Sequence, residues 1–117
     1  MFEQYLPLML VGLFIAYRIY KSKKAKALLA NLNPNDIQLV DVRTESEFAA
    51  ISAPNSLNIP VQSLMTGNTK SLDKNKTLVV YCASGMRSGS AVMWLKKQGY
   101  NAINVGTVGA VIKHLNP

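Results

Sequence analysis

Short apolar runs that alternate with helix-like segments are the feature that most constrains this chain. The runs "IQLVDV" at 37–42, "TLVVYC" at 77–82 and "AINV" at 102–105 are rich in β-branched and apolar residues, and a shorter one, "LNIPV", lies at 57–61. Runs of this kind are typical of buried strands. Because segments with helical spacing separate them, we predict an α/β domain with a parallel sheet and helices on both faces.

The helical segments carry recognisable start and stop signals. The segment "AKALLANL" at 25–32 ends at a turn rich in Asn and Pro, and Thr44 and Glu47 stand at capping-box spacing. A longer segment, "SGSAVMWLKKQGY" at 88–100, contains Gly99 at a position that suits the left-handed residue after a helix. A final helix is expected over 110–115. With 117 residues, the chain has room for one domain and an appendage.

The appendage is the N-terminal segment. "YLPLMLVGLFIAY" at 5–17 has no charged residue, and with Phe2, Ile19 and Tyr20 the apolar stretch reaches about 19 positions, or about 28 Å of helix. The basic run "RIYKSKKAK" at 18–26 follows it. We therefore expect an uncleaved transmembrane anchor and basic juxtamembrane run over 1–26, in the cell inner membrane as a single pass.

The remaining residues, 27–117, are then expected to form the folded α/β domain, on the cytoplasmic side of the membrane. A helix lying flat in the interface and a buried core helix are the alternatives to a spanning anchor. The lysine-rich run is also compatible with nucleic acid, but its place beside an apolar segment favours lipid headgroups. We expect a membrane partner and no nucleic acid.

The single cysteine, Cys82, occupies the last position of the most apolar run. A lone cysteine excludes an intramolecular disulfide and a Cys-pair metal site, and we expect neither a metal nor a cofactor. The small residues after it let a loop curl so that backbone N–H groups converge on an anion or a thiolate, and an arginine closes that loop. The alternative is a buried cysteine that only fills space. The predicted substrate-binding residues are Ala83, Ser84, Gly85, Met86, Arg87 and Ser88.

Three motifs in this order resemble the rhodanese-homology domain, a family of single-domain sulfurtransferases. They are "DVRTESEF" at 41–48, "NIP" at 58–60 and "VVYCASGMRS" at 79–88, the last matching the family's Cys-x-x-Gly-x-Arg-Ser loop. The resemblance covers roughly residues 27–117. It implies the rhodanese-like α/β fold and transfer of a sulfane sulfur from a donor such as thiosulfate to a thiol or cyanide acceptor.

The resemblance also implies roles for individual residues. Cys82 would be the catalytic nucleophile that carries the sulfur as a persulfide, and Arg87 would help to hold the anionic donor. Asp41 and Arg43 match an Asp-x-Arg pair that supports the loop, although a helix or turn cap is an equally good interpretation of Asp41. With no second cysteine to receive the sulfur, Cys82 is expected to be exposed to solvent.

Two further interpretations stay open. One is a membrane-anchored persulfide carrier or binding module that does not turn over. The other is a small phosphatase or arsenate reductase on the same fold, although phosphatases related to this family have one more residue between the cysteine and the arginine than the four present here. The shorter loop favours sulfur transfer.

Three parts of the chain depart from the family pattern. "ISAPNS" at 51–56 replaces a Gly-His-Ile-x-Gly-Ala turn, so we expect an altered loop there and retained activity. The usual first edge strand is missing or merged with the basic run, and the glycine-rich turn "VGTVGAV" at 105–111 is only approximate. Outside these parts, we interpret His114 as a solvated or partly packed side chain and Trp94 as a core residue.

Overall fold

The computed structural model describes residues 2–115. Helices and strands alternate along most of this range, and the β-α alternation predicted from the apolar runs is confirmed. In chain order the elements are α1 (Leu6–Ala30), β1 (Ile37–Asp41), α2 (Glu45–Ala50), β2 (Leu57–Asn58), α3 (Val61–Met65), β3 (Thr77–Cys82), α4 (Met86–Lys97), β4 (Asn101–Thr107) and α5 (Val108–Leu115).

The four strands form one parallel sheet in the order β2-β1-β3-β4. The register of β1 on β3 runs from Ile37 opposite Thr77 to Asp41 opposite Tyr81. Strand β4 pairs with the other side of β3 and shifts register once, between Val80 and Tyr81. All four strands therefore end at the same edge of the sheet, where ligands of open α/β sheets bind.

Side chains of β3 alternate between two helical layers. Leu78, Val80 and Cys82 belong to one core cluster, which also contains Leu64 of α3 and Leu95 of α4. Val79 and Tyr81 point the other way. Their cluster includes Leu29 of α1 and Val111 of α5. Helices thus cover both faces of the sheet, as predicted.

Local signals in the sequence account for several element boundaries. The Thr44 side chain accepts a hydrogen bond from the Glu47 N–H while the Glu47 carboxylate accepts one from the Thr44 N–H, so the predicted capping box is confirmed. Gly99 has a φ of +91°, as its position after α4 predicts. Helix α3 was not predicted, and it begins directly after Pro60.

The spanning anchor predicted for residues 1–26 is not supported by the structure. None of the helices within residues 2–115 is long and apolar enough to cross a membrane. The charge-free part of α1 runs only from Leu6 to Tyr17, which is about 18 Å of helix against about 30 Å of hydrocarbon core. The predicted apolar segment was too long because it included Phe2, which precedes α1, and residues beyond the charged Arg18.

Helix α1 instead has two parts with different surroundings. Its C-terminal part packs against α5 and β4, where Ala25 and Leu29 are buried. Large apolar side chains between Tyr5 and Tyr20 are exposed, and Leu13 keeps 66% of its surface accessible. The helix is continuous across residue 26, and the division into 1–26 and 27–117 stays a prediction.

Because Leu29 lies in the core and Leu13 does not, we expect the same substitution to have different costs at the two positions. Leu29→Ala should lower the free energy of unfolding by about 2–5 kcal/mol, since it leaves a cavity between α1 and the sheet. Leu13→Ala is the matched control and should change it by less than about 0.5 kcal/mol. Urea unfolding of the full chain measures both, and equal losses would contradict the packing described here.

Candidate active site

Cys82 is the last residue of the central strand β3, and a short loop leads from it into α4. The turn into the helix depends on Gly85, whose φ of +93° is in the left-handed region that favours glycine. A Cβ on Gly85 would lie 3.4 Å from the Cα of Gly106, which follows the bulge in β4. The loop therefore reverses direction tightly, which brings the first turn of α4 over the cysteine.

Three polar groups of this turn surround the Cys82 sulfur. The Gly85 N–H donates to Sγ at 3.0 Å, and the Ser88 N–H donates at 3.4 Å. The Ser88 hydroxyl lies 3.4 Å from the same atom. The small residues of the loop led us to predict backbone N–H groups that converge on the sulfur, and these groups are present. The N-terminus of α4 adds a positive partial charge beside them.

These contacts favour the thiolate over the thiol. Burial alone raises the pKa of the Cys82 thiol, because a charged sulfur loses its hydration. The hydroxyl and N–H of Ser88 and the N–H groups of Ser84 and Gly85 act in the opposite direction and outweigh it. The net result is a pKa below the ordinary value for cysteine, which is the condition for a nucleophilic sulfur.

The expected exposure of Cys82 is wrong in this structure. Its exposed fraction is 0%, although its loop neighbours Ala83, Ser84 and Met86 are exposed. The first turn of α4 lies against the sulfur through the two N–H groups that donate to it. A reaction at Sγ therefore requires a change in the structure that gives the donor access to the sulfur.

Asn104 of β4 takes part in the site and was missed by sequence reasoning. The single proton of the buried Ser88 hydroxyl is donated to Asn104 Oδ1 at 2.7 Å while Cys82 is a thiol, and it is donated to the sulfur at 3.4 Å when Cys82 is a thiolate. Asn104 Nδ2 donates to the Gly85 carbonyl oxygen at 3.1 Å. One amide side chain thus holds both ends of the turn over the sulfur. The only available signal was its place in a strand expected to lie beside β3, and an Asn in a short apolar run does not reveal this contact.

Arg87 points its guanidinium at a carboxylate. Its Nη1 and Nη2 donate to Glu47 Oε1 and Oε2 at 2.7 and 3.0 Å, and about a third of each side chain is exposed. The hydrogen bond from Arg87 is the largest of the effects that lower the pKa of Glu47 to about 2, and the hydrogen bonds from Thr44 add to it. Sequence reasoning assigned Glu47 only to the helix cap.

Asp41 and Arg43 form a second ion pair, and this one is buried. The Asp41 carboxylate accepts hydrogen bonds from the Arg43 side chain at 2.7–3.1 Å and from the Arg43 N–H at 2.8 Å. Arg43 also donates to the Ile51 carbonyl oxygen. Within residues 2–115, no side-chain hydrogen bond joins this pair to residues 83–88. The ion pair therefore stabilises the altered turn at 51–56 directly, and not the cysteine loop.

The same turn is held from the sheet as well. The Tyr81 hydroxyl donates to Ser56 Oγ at 2.7 Å and accepts a hydrogen bond from the Ala53 N–H. Burial raises the pKa of Tyr81 above its ordinary value, although the hydrogen bonds with Ser56 and Ala53 act in the opposite direction. The predicted altered loop is thus an ordered turn, anchored to the residue that precedes Cys82.

Two other positions singled out in the sequence, Trp94 and His114, make no hydrogen bond to Cys82. Trp94 is partly buried against the core cluster on the α4 side, as predicted. His114 is also partly buried, and its Nε2 has no hydrogen-bond partner among the described residues. In the same part of the chain, no group of three or more His, Cys, Asp or Glu side chains lies close enough together to hold a metal ion.

The site is a lone thiol beneath the first turn of a helix, at the carboxyl edge of a parallel sheet. This arrangement is typical of α/β domains whose reactive cysteine lies in a strand-to-helix loop. Comparison with known proteins identifies the family within that class. The family model of the rhodanese-like domain matches residues 24–107, so the chain belongs to the rhodanese-like domain family.

Several relatives are sulfurtransferases. A sulfurtransferase of Allochromatium vinosum is 37% identical over 68 residues, which cover 58% of this chain and 63% of that protein. The thiosulfate:glutathione sulfurtransferase of Saccharomyces cerevisiae is 33% identical over 95 residues, which cover 70% of this chain and 67% of that protein. The chain thus spans less than two thirds of the first relative and about two thirds of the second.

The fold has a solved counterpart as well. The crystal structure of a rhodanese-like domain protein from Staphylococcus aureus superposes with a TM-score of 0.63 at 36% identity, over 76% of this chain and 85% of that one. The resemblance proposed from the three sequence motifs is therefore confirmed at the level of family and fold.

The contribution of Ser88 to the thiolate is open to a direct test. Because the Ser88 hydroxyl lowers the pKa of Cys82, Ser88→Ala, which removes the hydroxyl and keeps the N–H, should raise that pKa and move the pH profile of alkylation by iodoacetamide to higher pH. The pKa of Glu47 is about 2, so its protonation does not contribute between pH 5 and 9. Ser90→Ala, on the exposed side of the same helix, is the control and should leave the profile in place. An unshifted profile in Ser88→Ala would contradict the role assigned to the hydroxyl.

Proposed function

We propose that the protein is a sulfurtransferase that moves a sulfane sulfur from a donor such as thiosulfate to a thiophilic acceptor through a persulfide on Cys82. The observation that carries this proposal is the set of hydrogen bonds from Gly85 and Ser88 to Sγ, which lowers the pKa of the only thiol. Its membership of a family with sulfurtransferase relatives supports the same conclusion.

In the first step the Cys82 thiolate attacks the outer sulfur of the donor. A bond forms between Sγ and that sulfur as the donor's own sulfur–sulfur bond breaks, and the bonding electron pair leaves with the departing anion, which is sulfite when the donor is thiosulfate. Backbone N–H groups of residues 83–88 and the Arg87 guanidinium offset the negative charge on this anion and on the new persulfide.

In the second step an external nucleophile removes the sulfur. The chain has one cysteine, so no second thiol of the same chain can attack the persulfide. A thiolate or cyanide bonds to the terminal sulfur and the electron pair of the broken bond returns to Sγ, which regenerates the thiolate. No oxidant or reductant is consumed in either step. Both steps require the sulfur to become accessible, because the exposed fraction of Cys82 in this structure is 0%.

Replacement of the nucleophile is the primary test. Cys82→Ser should abolish sulfur transfer from thiosulfate to cyanide, because a serine hydroxyl is not ionised at neutral pH and does not form a persulfide. Steady-state turnover and intact mass after incubation with thiosulfate are the measurements, the latter reporting the mass of one added sulfur atom on the natural protein only. Retention of most activity in a folded Cys82→Ser variant would refute the proposal.

The arginine of the loop is tested separately. Arg87→Ala should raise the KM for thiosulfate by about tenfold, the cost of losing one charge-assisted interaction with an anion. Arg18→Ala on the exposed part of α1 is the control, since it removes the same charge at a distance from Cys82. An unchanged KM in Arg87→Ala would show that the donor is held by backbone N–H groups alone.

A second candidate function is a carrier or docking module that receives sulfur on Cys82 without steady-state turnover. The burial of Cys82 favours this alternative, because a site that opens only against a partner protein would not use small donors efficiently. Addition of one sulfur atom without turnover distinguishes it from the enzyme. A phosphatase or arsenate reductase is disfavoured by the four-residue spacing between Cys82 and Arg87.

The location of the protein and the range of its partners stay predictions. The placement at the inner membrane with the domain in the cytoplasm rests on the charge distribution around residues 5–26. The expectation that no nucleic acid binds rests on the position of the basic run. A reporter fused to each end of the chain tests the placement, and a C-terminal reporter found on the exterior would refute it.

A further inference from the structure

The carboxylate of Glu47 faces the loop that carries the reactive sulfur, and it is held in place from two sides. Its Oε1 accepts hydrogen bonds from the Thr44 N–H at 3.1 Å and the Thr44 hydroxyl at 3.0 Å, in addition to the bond from Arg87. Its Oε2 accepts the second bond from Arg87. The anion is therefore a fixed part of the site rather than a mobile surface charge.

This contact changes the charge that an incoming donor meets. Within residues 2–115 the ion pairs are Asp41–Arg43, which is buried and closed on itself, and Glu47–Arg87. Two N–H groups of the Arg87 guanidinium are thus already bound to a carboxylate. Together with the thiolate of Cys82, the two charges of this second pair leave the site with a net charge of about −1 before any donor arrives. A dianion such as thiosulfate meets repulsion, and it competes with Glu47 for the guanidinium.

We propose that Glu47 is a specificity-determining residue that disfavours small dianionic donors and favours a sulfane sulfur carried on an organic or protein thiol. This inference rests on the proposed function. A persulfide carries at most one negative charge near its sulfane sulfur and leaves as a thiolate, so it depends less on a free guanidinium. The bonds made and broken are the same as with thiosulfate, and the electron pair departs on the thiol sulfur of the donor.

Glu47→Gln is the informative variant, because it removes the charge and keeps an amide oxygen that can still accept the Thr44 hydrogen bonds. Glu45→Gln is the matched control: Glu45 lies in the first turn of the same helix and is exposed. Both variants raise the net charge of the chain by one, so a difference between them reports position and not total charge.

The first measurement uses two alkylating reagents of similar size, the iodoacetate anion and neutral iodoacetamide, on the thiol of Cys82. We expect Glu47→Gln to raise the ratio of the iodoacetate rate to the iodoacetamide rate, by up to about tenfold at low salt. The ratio should move back towards that of the natural protein as ionic strength rises, because the pair is partly exposed. Glu45→Gln should leave the ratio unchanged. An unchanged ratio in Glu47→Gln, or an equal rise in both variants, would overturn the inference.

The second measurement compares donors. In Glu47→Gln the rate of sulfur loading on Cys82 from thiosulfate should rise several-fold, mainly through a lower KM, while loading from glutathione persulfide should stay within about twofold. A purely structural role for Glu47 would change both donors alike and would refute the inference. If neither donor loads sulfur on Cys82 in the natural protein, the proposed function is refuted, and the inference about Glu47 is refuted with it. If both donors load Cys82 and Glu47→Gln changes neither rate, only the inference about Glu47 is refuted.

Discussion

The hydrogen bonds between the first turn of α4 and the sulfur of Cys82 are the interaction on which the rest of the site depends. Gly85 makes them possible, because its left-handed backbone lets the chain turn back within three residues of the strand end. Asn104 of the neighbouring strand then fixes that turn from outside. The contacts that lower the pKa of the thiol act on a buried sulfur, so the site stabilises the thiolate but does not expose it to solvent.

The two Arg–carboxylate pairs differ in burial, and they therefore differ in how much they contribute to stability. Asp41 and Arg43 are buried, and truncation of either would leave an uncompensated charge inside the protein. Glu47 and Arg87 are partly exposed, where an ion pair contributes little to stability. The exposed pair can exchange one anion for another at low cost, which suits a position beside a reactive sulfur. The buried pair holds the turn at Ile51, and that turn lacks the glycines and histidine of the family pattern.

The predictions that succeeded depend on short-range physics. The strand at 77–82 is predictable because six successive apolar or β-branched residues suit a sheet covered on both faces. The capping box at Thr44 and the turn at Gly99 are set by residues within a few positions of each other. Two predictions that the structure does not support depend on lengths and contacts along or across the fold. The apolar segment was counted without knowledge of where α1 begins, and the exposure of Cys82 was inferred from its chemistry rather than from what packs over it.

By itself the sequence determined the α/β class, the parallel arrangement, the place of the only thiol at a strand end and the family to which the loop belongs, because hydrophobic periodicity and a glycine-containing motif are local properties of the chain. Only the tertiary structure decided that Asn104 holds the loop, that Arg87 binds Glu47, and that the sulfur lies beneath the helix. Each of these is a contact between residues 6 to 40 positions apart in the chain. Such contacts depend on how strands and helices are placed against each other, and no local pattern encodes that.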